Sequence, residues 1–511
     1  MTHYDAVIIG AGHNGLTCAC YLTRGGLRVL VVEGKDRIGG MTSTEEMVLP
    51  GFHTDVHASG YQLANLSSAA TALDLADFGL TLIRPEVSLA KVLPDNRCLS
   101  IKSTVDATCA SIAAFSARDA DAWRSLFSDY LAGKAALCHG LESAPPLPGA
   151  ILTQLEHAPD AQERIRFREQ SVRTWAAETF ESDAMRDLMA DFAAHAGFAP
   201  DDAGGAAFAF LFLAVIQDEG NRAVQGGMGR LPAALATCLQ YHGGEIRTSA
   251  VVTQISVENG TATGVRLADG AFIPARYVIS SAHPRHLVLQ LLSEAALDAT
   301  LLTAMERYEI GVSQMGIYLA LDAPVTYAAG NEAAEATQVH LMPATVDGLA
   351  EAFRAIRAAQ LPEEPALFVV NEAVIDPSRV PAGKSSLKII LTGVPYAVDW
   401  GSAGQPFAQQ VIDQIARDFI PDLAEKVIGS VIMTPVDFEV DLASALQGTV
   451  THGAMPPYQQ GAMRPILQLG QYRGPVTGLY LCGAGSHPGP GVSMMPGRNA
   501  AQALLSDLDH G

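Results

Sequence analysis

The sequence predicts a mixed α/β fold, and two observations carry that prediction. Close to the start, a buried-strand pattern runs straight into a glycine-rich turn, a helical segment, a second strand and an acidic residue. Close to the end, another strand delivers a glycine–proline loop to another helix. A strand, a tight loop and a helix N-terminus in succession make an anion site from free backbone N–H groups and the helix dipole. Length agrees, because 511 residues exceed one ordinary domain.

Tyr4–Ile9 is almost continuously apolar, as a parallel strand covered on both faces should be. Gly10-Ala11-Gly12-His13-Asn14-Gly15 follows at once. Leu16 to Arg24 has helical spacing and Gly25-Gly26 ends it. Leu27 to Val32 reads as the second strand, and Glu33 stands 18 residues past Gly15. In that context GxGxxG is a Rossmann-like dinucleotide site. Gly10 permits the tight turn, Gly12 lets backbone approach a pyrophosphate, and Gly15 lets the helix pack close to the strand. Glu33 can accept hydrogen bonds from ribose hydroxyls, and an acid there disfavours a 2′-phosphate, which argues against NADP.

Glu33 leads through Gly34 into Arg37-Ile38-Gly39-Gly40-Met41-Thr42-Ser43-Thr44. This resembles the RxGGxxxS/T extension of FAD enzymes in the glutathione-reductase-like superfamily. There the glycine pair brings backbone close to the FAD phosphates and ribityl chain. Pro50–Asp55 resembles the segment that leads under the flavin in the amine-oxidase and phytoene-desaturase branches. The resemblance implies FAD rather than NAD.

Gly226-Gly227-Met228-Gly229 opens a helical stretch over 233–241. Strand patterns follow at Val251–Ile255, Gly264–Leu267 and Tyr277–Ser280. This order resembles the second FAD-binding segment of the same superfamily, in which the residue matching Val252 meets the adenine through its backbone. Gly226–Gly229 is not GxGxxG and follows no clear buried strand. No second dinucleotide site, and so no built-in NAD(P)H reductase half, is expected.

Gly478–Cys482 reads as a strand, Gly483–Gly491 as a loop dense in glycine and proline, and Val492 to about Leu505 as a helix. That helix N-terminus can stabilise negative charge at the N1–C2=O edge of a reduced flavin. GAGHNGL at 10–16, IDPSRVPAGK at 375–384 and LYLCGAGSHPGPGVSMMPGRNAA at 479–501 resemble the phytoene-desaturase-related FAD oxidoreductases. That family includes carotenoid desaturases, carotenoid isomerases and retinol saturases, and the resemblance spans nearly the whole chain. It implies one FAD and an interleaved fold. The FAD domain is expected from roughly 1–70, 222–290 and 435–511, and the substrate domain from 71–221 and 291–434. It implies cofactor contacts along Gly10, Ala11, Gly12, Asn14 and Gly15, then at Glu33, Gly34, Arg37, Gly39, Gly40, Met41 and Thr42. Val252, Gly483, Ala484, Gly491 and Val492 complete the set. The family usually carries small residues after the final GxGV, but this chain has Ser493-Met494-Met495. Two methionines beside the flavin predict a narrowed site and disfavour a long linear carotene.

Composition bounds the rest. Lys and Arg total 33 against 54 Asp and Glu, a net charge of −21, which repels nucleic-acid phosphate. The seven cysteines are scattered, odd in number and lack CxxC spacing, so they read as reduced packing residues. That suits a cytoplasmic protein, and the start shows no signal-peptide pattern. No metal site is expected. The longest apolar run, Ala206–Ile216, is shorter than the roughly 18 residues of a spanning helix. It reads as a buried helix, with a channel-lining or membrane-dipping helix as the alternative.

Of the two insertions, the first reads as largely helical, at 119–137 and 162–194, broken at Pro145-Pro146-Leu147-Pro148. The second has strand-like runs at Gly316–Leu321, Leu367–Val370 and Leu387–Leu391. His487, in the last loop, and His57, just beyond Asp55, are the candidate catalytic residues. For each, a structural histidine bonded to its surroundings is the competing reading. Tyr472 and Arg473 are candidates to orient a polar substrate group. The expected reaction is desaturation at a C–C bond of a small, largely apolar substrate, with oxygen or a quinone as electron acceptor. A redox-neutral isomerase, an amine or alcohol oxidase and a non-catalytic FAD-binding scaffold are the alternatives. Aromatic residues at 6%, with three Trp, weigh against the aromatic cage of an amine oxidase. Peripheral membrane contact and a homo-oligomer stay open.

Overall fold

The computed structural model describes residues 4–156, 160–293 and 297–510. Two seven-stranded sheets organise the chain. In the first, Tyr4–Ile9 is central and parallel to Val29–Val32 on one side and Phe272–Ser280 on the other. Glu245–Arg247 and Leu479–Leu481 extend the parallel part, and the strands Val252–Glu258 and Thr261–Leu267 add an antiparallel flank. The central parallel strands are apolar because both faces are covered. Leu16, Cys18 and Leu22 from the helix His13–Arg24 pack on one face with Leu235 and Leu239 from Arg230–Tyr241 and Leu504 from Met495–His510.

Small residues set these distances. A Cβ on Gly15 would stand 2.1 Å from the Gly10 carbonyl oxygen, and one on Gly497 would stand 2.1 Å from that of Asn14. The first and last helices therefore lie hard against the glycine-rich turn and against each other.

The second sheet runs in the order Val427–Met433, Ser313–Leu321, Ser385–Val394, Leu367–Val370, Gln338–Met342, Val87–Val92, Cys98–Lys102. The three expected strand runs of the second insertion are present, two of them longer than expected. Two strands of the first insertion were not expected: Val87–Val92 and Cys98–Lys102 form a hairpin turned at Asn96, whose φ of 60 lies in the left-handed region. The long helical stretch at 162–194 is three helices rather than one. Ser171 and Ser182 interrupt it, each side chain accepting a hydrogen bond from a backbone N–H three residues on and so starting a new helix. The apolar run forms the helix Gly205–Glu219, and no described helix is long and apolar enough to cross a membrane.

Candidate active site

A cavity of about 570 Å³ is walled by both sheets. One part is backbone-rich. The first helix starts there from Gly12, with no side-chain cap, so its leading N–H groups are free for an anion. The three motif glycines serve different ends. Gly10 has φ of +96 and its missing Cβ would meet Ser281 Oγ, and Gly15 is a packing glycine. Gly12 has an ordinary φ of −72, and a Cβ there would find nothing closer than Gly39 O at 3.9 Å. The fold itself has room for a side chain at Gly12, so the glycine keeps cavity space clear for a ligand.

Of the sequence-predicted residues, the motif positions Gly10, Gly12, Asn14 and Gly15 line the cavity with Glu33, Gly34, Gly40 and Met41. So do Val252, Gly483, Ala484, Gly491, Val492 and His57. Ala11 lies behind the loop, its N–H donating to Glu33 Oε2 at 2.8 Å. The other Glu33 oxygen accepts from Lys35 N at 2.9 Å, so this carboxylate also ties the strand end to the turn. Gly39 and Thr42 shape the next turn, Thr42 Oγ1 donating to Gly39 O at 2.7 Å. Arg37 turns to Glu45 at 2.7 Å and Asp441 at 3.0 Å instead of lining the cavity.

Two expectations are corrected. His487 is not on the cavity: its Nε2 donates to Gly140 O at 3.2 Å, fastening the last loop to the end of the helix Ala117–Leu141. Met494 and Met495 do not narrow the cavity, because both are fully buried. Met494 packs among the helices under the first sheet, and Met495 packs with Phe127, Tyr130 and Val215. Tyr472 is likewise buried, accepting from Asn499 at 3.0 Å, and Arg473 pairs with Asp507 at the surface.

His57 is tied to the cavity wall. Its Nε2 lies 3.0 Å from Asp441 Oδ2, and its ring packs 5.0 Å from that of Phe438. Burial pulls the imidazole below its ordinary pKa despite the hydrogen bond to Asp441. The ring is therefore neutral near pH 7, donates from Nε2 and leaves Nδ1 a buried acceptor without a partner. Burial alone would raise Asp441, but hydrogen bonds from His57, Lys35 and Arg37 outweigh it and hold the carboxyl well below the usual range.

A second charged group lies behind the wall, and of its three members only Glu372 lines the cavity. Arg379 contacts Asp55 at 3.0 Å and Glu372 at 2.7 Å, all three buried. The Arg379 charge and a hydrogen bond from Thr44 Oγ1 at 2.6 Å keep Asp55 ionised against the pull of burial, and it also accepts from Met228 N at 2.8 Å. Glu372 has no such support: its Oε1 is partnerless, and burial pushes its pKa up to about 8 against the attraction of Arg379. Lys388 reaches the cavity beside it, donating to the His57 carbonyl and, at 2.9 Å, to Ser59 Oγ. Burial brings that amine down to about 8.

The remaining wall is mostly apolar and aromatic. Phe208 and Phe212 of the helix Gly205–Glu219 face Phe368 and Ile390 of the second sheet. His195 stacks on Phe368 at 4.8 Å. Gln62, Asn221, Thr337 and Gln338 form a hydrogen-bonded polar strip beside them.

The model of the family described as flavin containing amine oxidoreductase matches residues 15–505. The chain belongs to that family. It is an FAD-dependent oxidoreductase. Full-length relatives include the mouse (Mus musculus) protein named pyridine nucleotide-disulfide oxidoreductase domain-containing protein 2, 29% identical over 99% of this chain and 94% of its own. One component chain of the limonene dehydrogenase of Castellaniella defragrans is 26% identical over 99% and 95%. Hydroxyneurosporene desaturase of Cereibacter sphaeroides is 29% identical over 98% and 97%. Cyclohexylamine oxidase from Brevibacterium oxydans shares the fold, at a TM-score of 0.59 and 18% identity over 99% of each chain.

The residues present fit this family's cofactor. Buried His13 Nε2 and Asn14 Oδ1 have no protein partner, and both residues line the cavity beside the space that Gly12 keeps clear. Sequence reasoning missed Asp441, Glu372, Arg379 and Lys388 as members of the site. Arg379 lies within the IDPSRVPAGK segment at 375–384, which was the available signal. Isolated charged residues on strands and short helices carry none.

Proposed function

We propose that this flavoenzyme removes two hydrogens from a C–C bond of a small, largely apolar substrate and passes the electrons to oxygen or a quinone. The observation that carries this reading is the aromatic and aliphatic wall of Phe208, Phe212, Phe368 and Ile390 in the same cavity as the glycine-rich turn. FAD, when bound, accepts a hydride. The backbone N–H groups after Gly12 would hold its pyrophosphate, Glu33 its ribose and Val252 its adenine, while Gly491 and Val492 would border the ring system. The apolar wall excludes water and orients the carbon, and His57, which lines the cavity, has in Nδ1 a buried acceptor able to hold a proton.

Charge favours desaturation over amine oxidation. Lys388 lines the cavity with no described carboxylate within 4.0 Å, and the raised pKa of Glu372 leaves that acid mostly neutral at pH 7. A protonated amine bound beside Lys388 would meet a like charge there. The names of the limonene dehydrogenase and hydroxyneurosporene desaturase relatives point the same way. An apolar substrate and a quinone would both be met at a bilayer, which supports peripheral membrane contact.

The test is anaerobic mixing of the yellow holoenzyme with limonene, a C40 carotene, a primary alkylamine and an alcohol in turn. The flavin band should bleach with an isoprenoid hydrocarbon, and the product should be two hydrogens lighter by mass spectrometry. Bleaching by amines alone, with aldehyde release, would overturn the proposal. A product of unchanged mass without bleaching would point to the isomerase. Adding air or a soluble quinone to the reduced enzyme then identifies the acceptor.

A further inference from the structure

Arg464 is fully buried, yet its guanidinium meets only backbone carbonyls. Nε donates to Ala484 O at 3.0 Å, Nη1 to Ala454 O at 3.2 Å and Nη2 to Thr451 O at 2.6 Å. Among the described residues no carboxylate oxygen lies within 4.0 Å of it. Arg379 is paired with Asp55 and Glu372 and Lys91 with Asp191 at 2.8 Å, while Lys388, with no described carboxylate within 4.0 Å, can shed its proton because burial brings it down to about 8. An unpaired charge in a low-dielectric interior is costly, and guanidinium cannot escape the cost by losing its proton.

The position of the charge says what it serves. Thr451 and Ala484 both line the cavity, and Ala484 begins the loop that leads to the N-terminus of the last helix. Gly489 of that loop packs over the guanidinium, where a Cβ would stand 3.4 Å from Nε. The titratable groups around it are His13, His283, His452, His487 and Tyr308, with Arg285 and His286 next to His283. Burial holds His13, His283 and His452 neutral near pH 7 and lowers His487 as well, and none of the seven is an acid ionised at that pH. A fixed positive charge therefore lies one layer behind the cavity wall at the last loop, with no described carboxylate within 4.0 Å of it.

We propose that Arg464 is the fixed counter-charge for the negative charge that bound FAD gains on reduction, and so raises its reduction potential. Hydride uptake leaves the ring system one unit more negative, and an immobile, desolvated cation stabilises that state without reorganisation. The carbonyls of residues 451, 454 and 484 hold the cation in place and leave its charge unneutralised. This role rests on the cofactor seat proposed above and not on which substrate is oxidised.

The test compares holo wild type with Arg464→Lys and Arg464→Met, reading the flavin midpoint potential against a reference dye. Arg464→Met should shift the oxidised/reduced balance at least tenfold toward oxidised flavin, about 30 mV for a two-electron couple. Arg464→Lys should stay within threefold of wild type. A folded, yellow Arg464→Met protein with the wild-type potential overturns the proposal, and so does one in which oxidised and reduced FAD lose affinity equally. If Arg464→Met fails to fold, wild type still decides. The N1 proton of its reduced flavin, titrated anaerobically by absorbance, should have a lower pKa than that of free reduced FAD, and an equal or higher value overturns the proposal. Wild type that carries no FAD contradicts the cofactor seat itself.

Discussion

His57 Nε2 and Asp441 Oδ2 meet at 3.0 Å although 384 residues of chain separate them. Asp441 at the same time holds Lys35 at 2.9 Å and Arg37 at 3.0 Å. One carboxylate thus ties the segment after the nucleotide acid, the segment leading into the cavity and the chain that returns from the second sheet. It also sets the tautomer of His57, so the lone pair of that ring is left at Nδ1.

Asp441→Asn should break this tie. Three charge-assisted contacts weaken at once, which predicts a loss of about 2–3 kcal/mol in denaturant unfolding at pH 7. Because the folded pKa of Asp441 is depressed, its contribution is present above the ordinary carboxylate range and lost as pH falls through the lower folded value. The gap between variant and wild type should therefore close as the pH drops below about 4, and a gap independent of pH would count against the hub.

Gly12→Val should give a folded protein without flavin. The nearest atom to the new Cβ is 3.9 Å away and φ is ordinary, so the fold tolerates the side chain. The stability of the flavin-free protein should change by no more than about 1 kcal/mol, while the 450 nm absorbance disappears. A fully yellow variant would remove Gly12 from the cofactor seat.

Glu372→Gln should stabilise the protein increasingly with pH. The folded pKa of Glu372 is raised to about 8, above its unfolded value. Its favourable contribution is complete below the unfolded value and is lost as pH rises to the folded one. The Tm advantage of the variant should widen from pH 5 to pH 8, measured with the flavin bound. An advantage equal at both would mean that Glu372 is ionised throughout.

Phe212→Ala and Met494→Gly should separate lining from packing. Phe212 faces the cavity, so its truncation should alter which substrates bleach the flavin. Met494 is buried away from the cavity, so Met494→Gly should cost roughly 2–4 kcal/mol and leave the substrate profile unchanged. A widened profile in Met494→Gly would restore that methionine to the pocket wall.

The sequence by itself determined the α/β class, the first strand–turn–helix–strand and the closing strand–loop–helix. Each depends on contacts between near neighbours in the chain, where period, glycine placement and helix starts can be read directly. Gly10, Gly15 and Gly497 are required by approaches of about 2 Å, and that demand for absent side chains shows in the residues themselves. Only the tertiary structure decided which polar residues face the cavity. Register within the second sheet puts Lys388 opposite Tyr318, and the arrangement of the loops leaves Arg464 bound only to carbonyls. The same packing carried His487 to the backbone of Gly140 and buried Met494. Charge compensation and facing direction are sums over residues far apart in sequence, and no local pattern encodes them.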